Sequence, residues 1–204
     1  GMNDPLSEMA ITSAFHLGSQ LPRDIYISIN AGPEELLSGL VEKLFRQQKD
    51  PSRYVLEITE HAIVSDYEEM MRNLARLRRL GVRVAVDDAG AGYASFRHIL
   101  CLKPDIIKLD ISLVRDIHHD KDKQDLVAAL MEFSRRRRSI LVAEGLETRE
   151  ELTQLLKLGI EYVQGYFLSR PGDVSQFRTR AFDCYACVIF DKSADDQTRA
   201  GVKF

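Results

Sequence analysis

Six short runs rich in β-branched residues recur along this chain, at 25–29, 54–58, 82–86, 106–109, 140–143 and 162–167, with longer amphipathic stretches between them. Period-3.6 patterns cover 6–21, 34–48, 66–80, 122–137 and 149–158, so strands alternate with helices rather than with tight turns. Gly81 directly follows Leu80 and Gly159 directly follows Leu158, where helix C-caps are expected, and each leads into a new strand. Successive strand ends fall roughly 20 to 35 residues apart, about one βα unit, and that repetition favours a barrel or a doubly wound parallel sheet. The expected fold class is α/β, a TIM-type (β/α) barrel. Only six strands are readable, whereas an eight-stranded barrel takes ~250 residues. Because 6–21 reads as a helix, the barrel is expected to be incomplete at the N-terminus, with 2–177 as the barrel domain and 178–204 as a tail.

What each strand ends on is the chemically informative feature. The ends carry Asn30, Glu57, the pair Asp87 and Asp88, Lys108 followed by Asp110, Glu144, and Gln164. In a parallel barrel the C-terminal ends of all strands meet at one face, so these residues would converge on one pocket. Carboxylates packed together repel, and they are held by protonation, by basic partners or by divalent cations. Oxygen-only ligands suit Mg2+ or Mn2+, and the lack of a converging histidine or cysteine argues against a dedicated zinc site. Adjacent aspartates can serve two ions about 3.5 to 4 Å apart, the arrangement used to hydrolyse phosphodiesters. A lysine among them can orient the attacking water or steady charge on phosphate oxygens. Any single polar strand end is explained by solvent alone; six together are not.

Gly90 and Gly92 follow the aspartate pair in a loop where glycine permits tight turns near a ligand. Glu60 and Glu147 lie three residues after Glu57 and Glu144, where they either orient that loop or are solvated helix-start glutamates. His16, His61, His98, His118 and His119 share no metal-ligand spacing with a carboxylate motif and read as surface or structural. The run Arg135 to Arg138 reads as a solvated helix end, where cations suit the dipole. Cys101, Cys184 and Cys187 are too few for a disulfide framework, and the lone C-x-x-C reads as idle thiols.

Composition narrows the partners. With 28 basic and 31 acidic residues the net charge is −3, so nothing draws the chain to a nucleic-acid polymer or an anionic membrane, and a phosphate ligand must be captured locally. No run approaches the roughly 20 apolar residues that cross a bilayer, and the first residues lack the basic-then-apolar order of a signal peptide. The expected location is cytoplasmic.

Taken in order, the motifs resemble the EAL family of bacterial cyclic di-GMP phosphodiesterases across 6–177. Ile27-Ser28-Ile29-Asn30 is similar to that family's second metal-ligand strand, Glu57-Ile58-Thr59-Glu60 to its E-x-x-E strand, and Asp87 to Ser95 to its D-D-F-G-x-G-Y-S-S loop. Residues 103–110, 143–148 and Gln164-Gly165-Tyr166 complete the series. The resemblance implies that Asn30, Glu57, Asp87, Asp88 and Glu144 bind Mg2+ or Mn2+. It implies that Lys108 and Glu144 hold and activate the water attacking phosphorus, that Glu60 and Glu147 brace the loop after Asp88, and that Asp110 and Gln164 serve the substrate side. It further implies a homodimer, conversion of cyclic di-GMP to linear pGpG, and upstream sensory or GGDEF-type domains in a longer parent.

The sequence departs from the family in three places. The Glu-Ala-Leu strand, with its metal-binding glutamate, has no counterpart; Ala89 and Ala91 stand where phenylalanine and threonine are usual; and residues beyond Phe177 match nothing in it. The expectation is a phosphodiesterase-type domain, weak or inactive in this chain. The rivals are a non-catalytic cyclic di-GMP receptor or protein-interaction scaffold, and an unrelated metal-dependent barrel acting on a small carboxylate or sugar phosphate. The stretch 184–190 is expected to add a strand that covers an open sheet edge, unless a second chain does so.

Overall fold

The computed structural model describes residues 5–23, 25–58, 66–90, 93–170 and 188–189. Its sheet runs in sequence order: β1 (Ile27–Asn30), β2 (Tyr54–Ile58), β3 (Arg83–Ala89), β4 (Ile106–Leu109), β5 (Ile140–Ala143), β6 (Tyr162–Val163) and β7 (Val188–Ile189). The first six pair in parallel, and β7 lies antiparallel on β6. The helices are α1 (Pro5–Gly18), α2 (Pro33–Leu37), α3 (Leu40–Phe45), α4 (Tyr67–Arg79), α5 (Tyr93–Leu102), α6 (Ile111–Val114), α7 (Lys121–Arg137) and α8 (Arg149–Lys157). This is the expected α/β architecture, a curled parallel sheet forming part of a barrel. Of 184–190, only Val188 and Ile189 lie among the described residues.

Strand alternation separates the two faces of the sheet. Ile29, Leu56, Ile58, Val84, Val86, Ile107, Leu109, Leu141 and Val163 point into the main core, against the helices. Val55, Ala85, Ile106 and Val142 form a second cluster with Tyr26, Ile140 and Tyr162 on the inner face. Along β1 to β5 the register aligns Asn30, Glu57, Ala85, Ile106 and Ile140 in one row. That row is apolar except at β1 and β2, where Asn30 and Glu57 are themselves strand ends; Asp87, Lys108 and Glu144 lie further along the chain from their members of the row.

The helices are placed by their caps and apolar stripes. Asp66 accepts from the Glu69 N–H at the start of α4, and Asp120 accepts from the Lys123 N–H at the start of α7. On α4 the buried residues Met70, Asn73, Leu74 and Leu77 follow helical spacing, and the buried Asn73 amide donates to the Leu36 carbonyl at 3.0 Å. Phe15, Phe45 and Tyr54 meet edge to face, with centroids 4.9 to 5.7 Å apart, and fasten α1 and α3 to the start of β2.

Two sequence expectations need correction. The single helix expected over 34–48 is two helices, because Gly39 takes φ of 76° and breaks the run. The strand expected over 162–167 ends at Val163: the Gln164 N–H still donates to Ala143 of β5, but its carbonyl accepts from the Leu146 N–H, beyond the end of β5. Helices α5 and α6 lie outside the periodic stretches: α5 begins at once after the glycine loop, and α6 is a single turn.

Candidate metal centre

The alternation that buries Val55, Ala85, Ile106 and Val142 on the inner face also turns Glu57, Asp87, Lys108 and Glu144 to that face, two residues further along each strand. Between β3 and β4 the register slips: Val86 pairs with Ile107 and Ala89 with Leu109, so two aspartates oppose the single residue Lys108. Asp88 completes this bulge with a φ of 53°, a left-handed conformation that aspartate tolerates better than most residues. The Asp88 N–H donates to the Asp87 carboxylate at 3.1 Å.

Lys108 lies at the centre. Its ammonium is 3.0 Å from Glu57 Oε2, 3.1 Å from Asp87 Oδ1 and 2.7 Å from Glu144 Oε1, and it is only 7% exposed. Asp87, Asp88 and Glu144 each offer a carboxylate oxygen within 4.8 Å of the other two. Three carboxylates thus contact one ammonium and Asp88 lies beside two of them; fully ionised, the four would leave three negative charges in excess. An oxygen-rich cluster of this charge fits a hard divalent cation, which would remove the repulsion that one lysine cannot.

The electrostatics express the same deficit. Burial pulls the Lys108 ammonium down, but Glu57, Glu144 and Asp87 outweigh it, so the group stays charged well above neutral pH. Burial pushes the Glu144 carboxyl up to about 7; Lys108 opposes that rise, and the charge and hydrogen bonding of Asp87 add to it. With its carboxyl raised to about 7, Glu144 is about half protonated at neutral pH when no cation is bound. A cation entering the cluster must displace that proton. Mn2+ affinity is expected to fall about tenfold per pH unit below 7 and to level off above it, as read by titrations at pH 6, 7 and 8. A flat profile would mean that Glu144 is already ionised. Because its carboxyl is raised, the folded metal-free protein binds more protons than the unfolded chain from about pH 4.5 to 7, and through this group its stability falls as pH rises across that window.

The remaining candidates fall into place unevenly. Asn30 pairs in register with Glu57 and is exposed at the end of β1. Gln164 sits half-buried after β6, its N–H donating to Ala143 and its carbonyl accepting from Leu146. Asp110 caps α6 by accepting from the Ser112 N–H at 2.8 Å. Glu147 is exposed and ion-paired with Arg115, which holds its carboxyl below the usual range. Glu60, His61, Gly92, Cys184 and Cys187 lie outside the described residues. His98 is buried against the Tyr67 ring, and the His118 and His119 rings lie 4.0 Å apart. Arg135, Arg136 and Arg137 occupy the exposed last turn of α7, the first two paired with Glu132. Sequence reasoning missed Arg115 and the fully buried Glu151. The signal for Glu151 was its place three residues after Thr148, the spacing of a capping box.

The family model described as EAL domain matches residues 1–171. A relative from Escherichia coli K12, named probable cyclic di-GMP phosphodiesterase PdeA, is 36% identical over 149 residues, covering 71% of this chain and 20% of the relative. The manganese and cyclic di-GMP complex of Klebsiella pneumoniae BlrP1 is 34% identical with a TM-score of 0.73, covering 81% of this chain and 44% of that one. The EAL domain of Mycobacterium smegmatis DcpA is 30% identical with a TM-score of 0.75, over 84% of this chain and 79% of that one. The chain spans about a fifth of the length of the curated relatives it matches. Among the described residues, no helix is long and apolar enough to cross a membrane.

Proposed function

The chain belongs to the EAL domain family, and from that premise we propose that its inner-face carboxylate cluster is the centre of a cyclic di-GMP phosphodiesterase-type domain. The observation that carries the reading is the convergence of Lys108 on Glu57, Asp87 and Glu144, with Asp88 beside them. Glu57, Asp87, Asp88 and Glu144, with Asn30 at the rim, would hold Mg2+ or Mn2+; bound there, the metal would supply Lewis acidity and an activated water. Lys108, fixed by three carboxylates, would orient the water and steady charge on phosphate oxygens. Glu144 would take up a proton as the water attacks phosphorus. Gln164 would line the nucleotide side of the pocket. The product would be linear pGpG.

For the 204-residue polypeptide itself we expect weak turnover, or binding without turnover, because the sequence contains no Glu-Ala-Leu strand. Residues 2–177 would form the catalytic-type unit and 178–204 a tail. A homodimer is also proposed; the exposed Phe96 and Leu100 of α5 are compatible with one, and light scattering tests it. The functional test is incubation with cyclic di-GMP and Mg2+ or Mn2+, with Asp87→Asn as control. Slow metal-dependent linear product that the control loses would support the catalytic reading. Saturable binding without product moves the reading to a receptor, and neither binding nor product overturns it.

A further inference from the structure

Glu151 is fully buried in α8, yet nothing in the proposed chemistry uses it. Its Oε2 accepts from the Glu147 N–H at 2.9 Å and from the Thr148 N–H at 3.0 Å, while its own N–H donates to Thr148 Oγ1 at 3.2 Å. That much is a capping box, which serves the start of its own helix. Its other oxygen, Oε1, does something a capping box does not require: it accepts from the Asp116 N–H at 3.0 Å, on the separate segment that follows α6. Asp116 takes a left-handed φ of 56°, and the Arg115 to Glu147 ion pair spans the same two segments. A buried carboxylate with three backbone donors is held ionised; burial raises its carboxyl, and the N–H groups of Glu147, Asp116 and Thr148 more than reverse this.

Glu151 ties down a wedge. The single turn α6 lies between the two segments that carry the clustered carboxylates. A Cβ on Gly90, just past Asp87 and Asp88, would overlap Leu113, and a Cβ on Gly145, next to Glu144, would overlap Ile111. Asp110 caps one end of α6, and Glu151 fastens the other through Asp116. The same carboxylate fixes Glu147 and Thr148, three and four residues beyond Glu144. Asp87 and Asp88 come from β3 and Glu144 follows β5; β4 is the one strand between them, and the wedged turn is the segment that follows it.

We propose that Glu151 is a positioning residue for the metal centre, setting the distance between the β3 aspartates and Glu144 by clamping α6 to the β5–α8 loop. The proposal rests on the reading of that cluster as a divalent-metal site, and its test separates the two. Mn2+ binding to the whole chain, without nucleotide, is measured for the parent, Glu151→Ala, Glu151→Gln and the exposed neighbour Glu150→Gln, at a temperature where each is folded. Amide exchange at Asp116 and Glu147 is followed alongside. Glu151→Ala is expected to weaken Mn2+ binding about ten- to a hundredfold, the range for groups that orient ligands without touching metal. Glu151→Gln keeps one acceptor oxygen and is expected to lie between parent and alanine, with faster exchange at whichever amide it releases. Glu150→Gln is expected to bind as the parent does. Should the alanine chain not fold, the glutamine variant carries the comparison. Parental Mn2+ affinity in folded Glu151 variants, even with a lowered Tm, would reduce Glu151 to a cap of α8 and overturn the inference alone. A parent that does not bind Mn2+ would overturn the metal reading and the inference with it.

Discussion

Lys108→Met is expected to lower the stability of the metal-free protein by about 3 to 5 kcal/mol at pH 8, as for other buried ion pairs broken on one side. The methionine fills the volume of the stem, so the loss isolates charge. Glu57, Asp87 and Glu144 are left facing one another with no cation, on a face where Glu57 is 8% exposed. Their folded carboxyls then rise, the folded state binds more protons than the unfolded one, and stability falls as pH increases. The deficit should therefore be smaller at pH 5.5 than at pH 8, and millimolar Mn2+ should recover part of it at the higher pH. Urea unfolding at both values reads the outcome. A deficit that is the same at both pH values would mean that Lys108 contributes packing rather than counter-charge.

Asp88→Asn should act in the opposite sense on stability and more severely on the metal. After glycine, asparagine is among the residues that best tolerate the left-handed backbone Asp88 adopts, so the bulge survives the change. One of the three clustered carboxylates loses its charge while keeping its shape. The metal-free protein should be as stable as the parent or slightly more so, since repulsion has been relieved. Mn2+ affinity should drop by more than about a hundredfold, beyond the range for groups that only orient ligands. Calorimetric titration of both proteins measures it. Parental affinity in the variant would place the ion away from the aspartate pair.

The sequence made the sheet legible because each strand is a short β-branched run bounded by a glycine or a polar residue; 54–58, 106–109 and 140–143 coincide with strands of the structure. That Glu57, Asp87, Lys108 and Glu144 share one face follows from strand parity, and that they converge follows from the parallel order of the strands, whose C-terminal ends meet at one end of a barrel. Pattern could not supply anything that depends on contact between segments. Helix α6 is one turn long, too short for periodicity, and exists because Asp110 caps it and Glu151 anchors the residues just beyond its last turn. The break at Gly39 hid inside an apolar pattern that fits one helix as well as two. Glu147 read equally as a brace or as a solvated glutamate; its partner Arg115 lies 32 residues away in sequence, and no spacing rule reaches that far.

The slip in register between β3 and β4 also sets how this centre can change by insertion and deletion. Removing one aspartate would let Ala89 follow Val86 with the same two-residue step that separates Ile107 from Leu109, restoring an unbroken ladder. Such a deletion would mend the hydrogen bonding while halving the ligand pair, so backbone regularity and ligand number cannot both be maximised at this point. Variants selected for thermal tolerance alone would be free to drift towards the shorter strand. Only selection that acts on the ion would hold the extra residue in place.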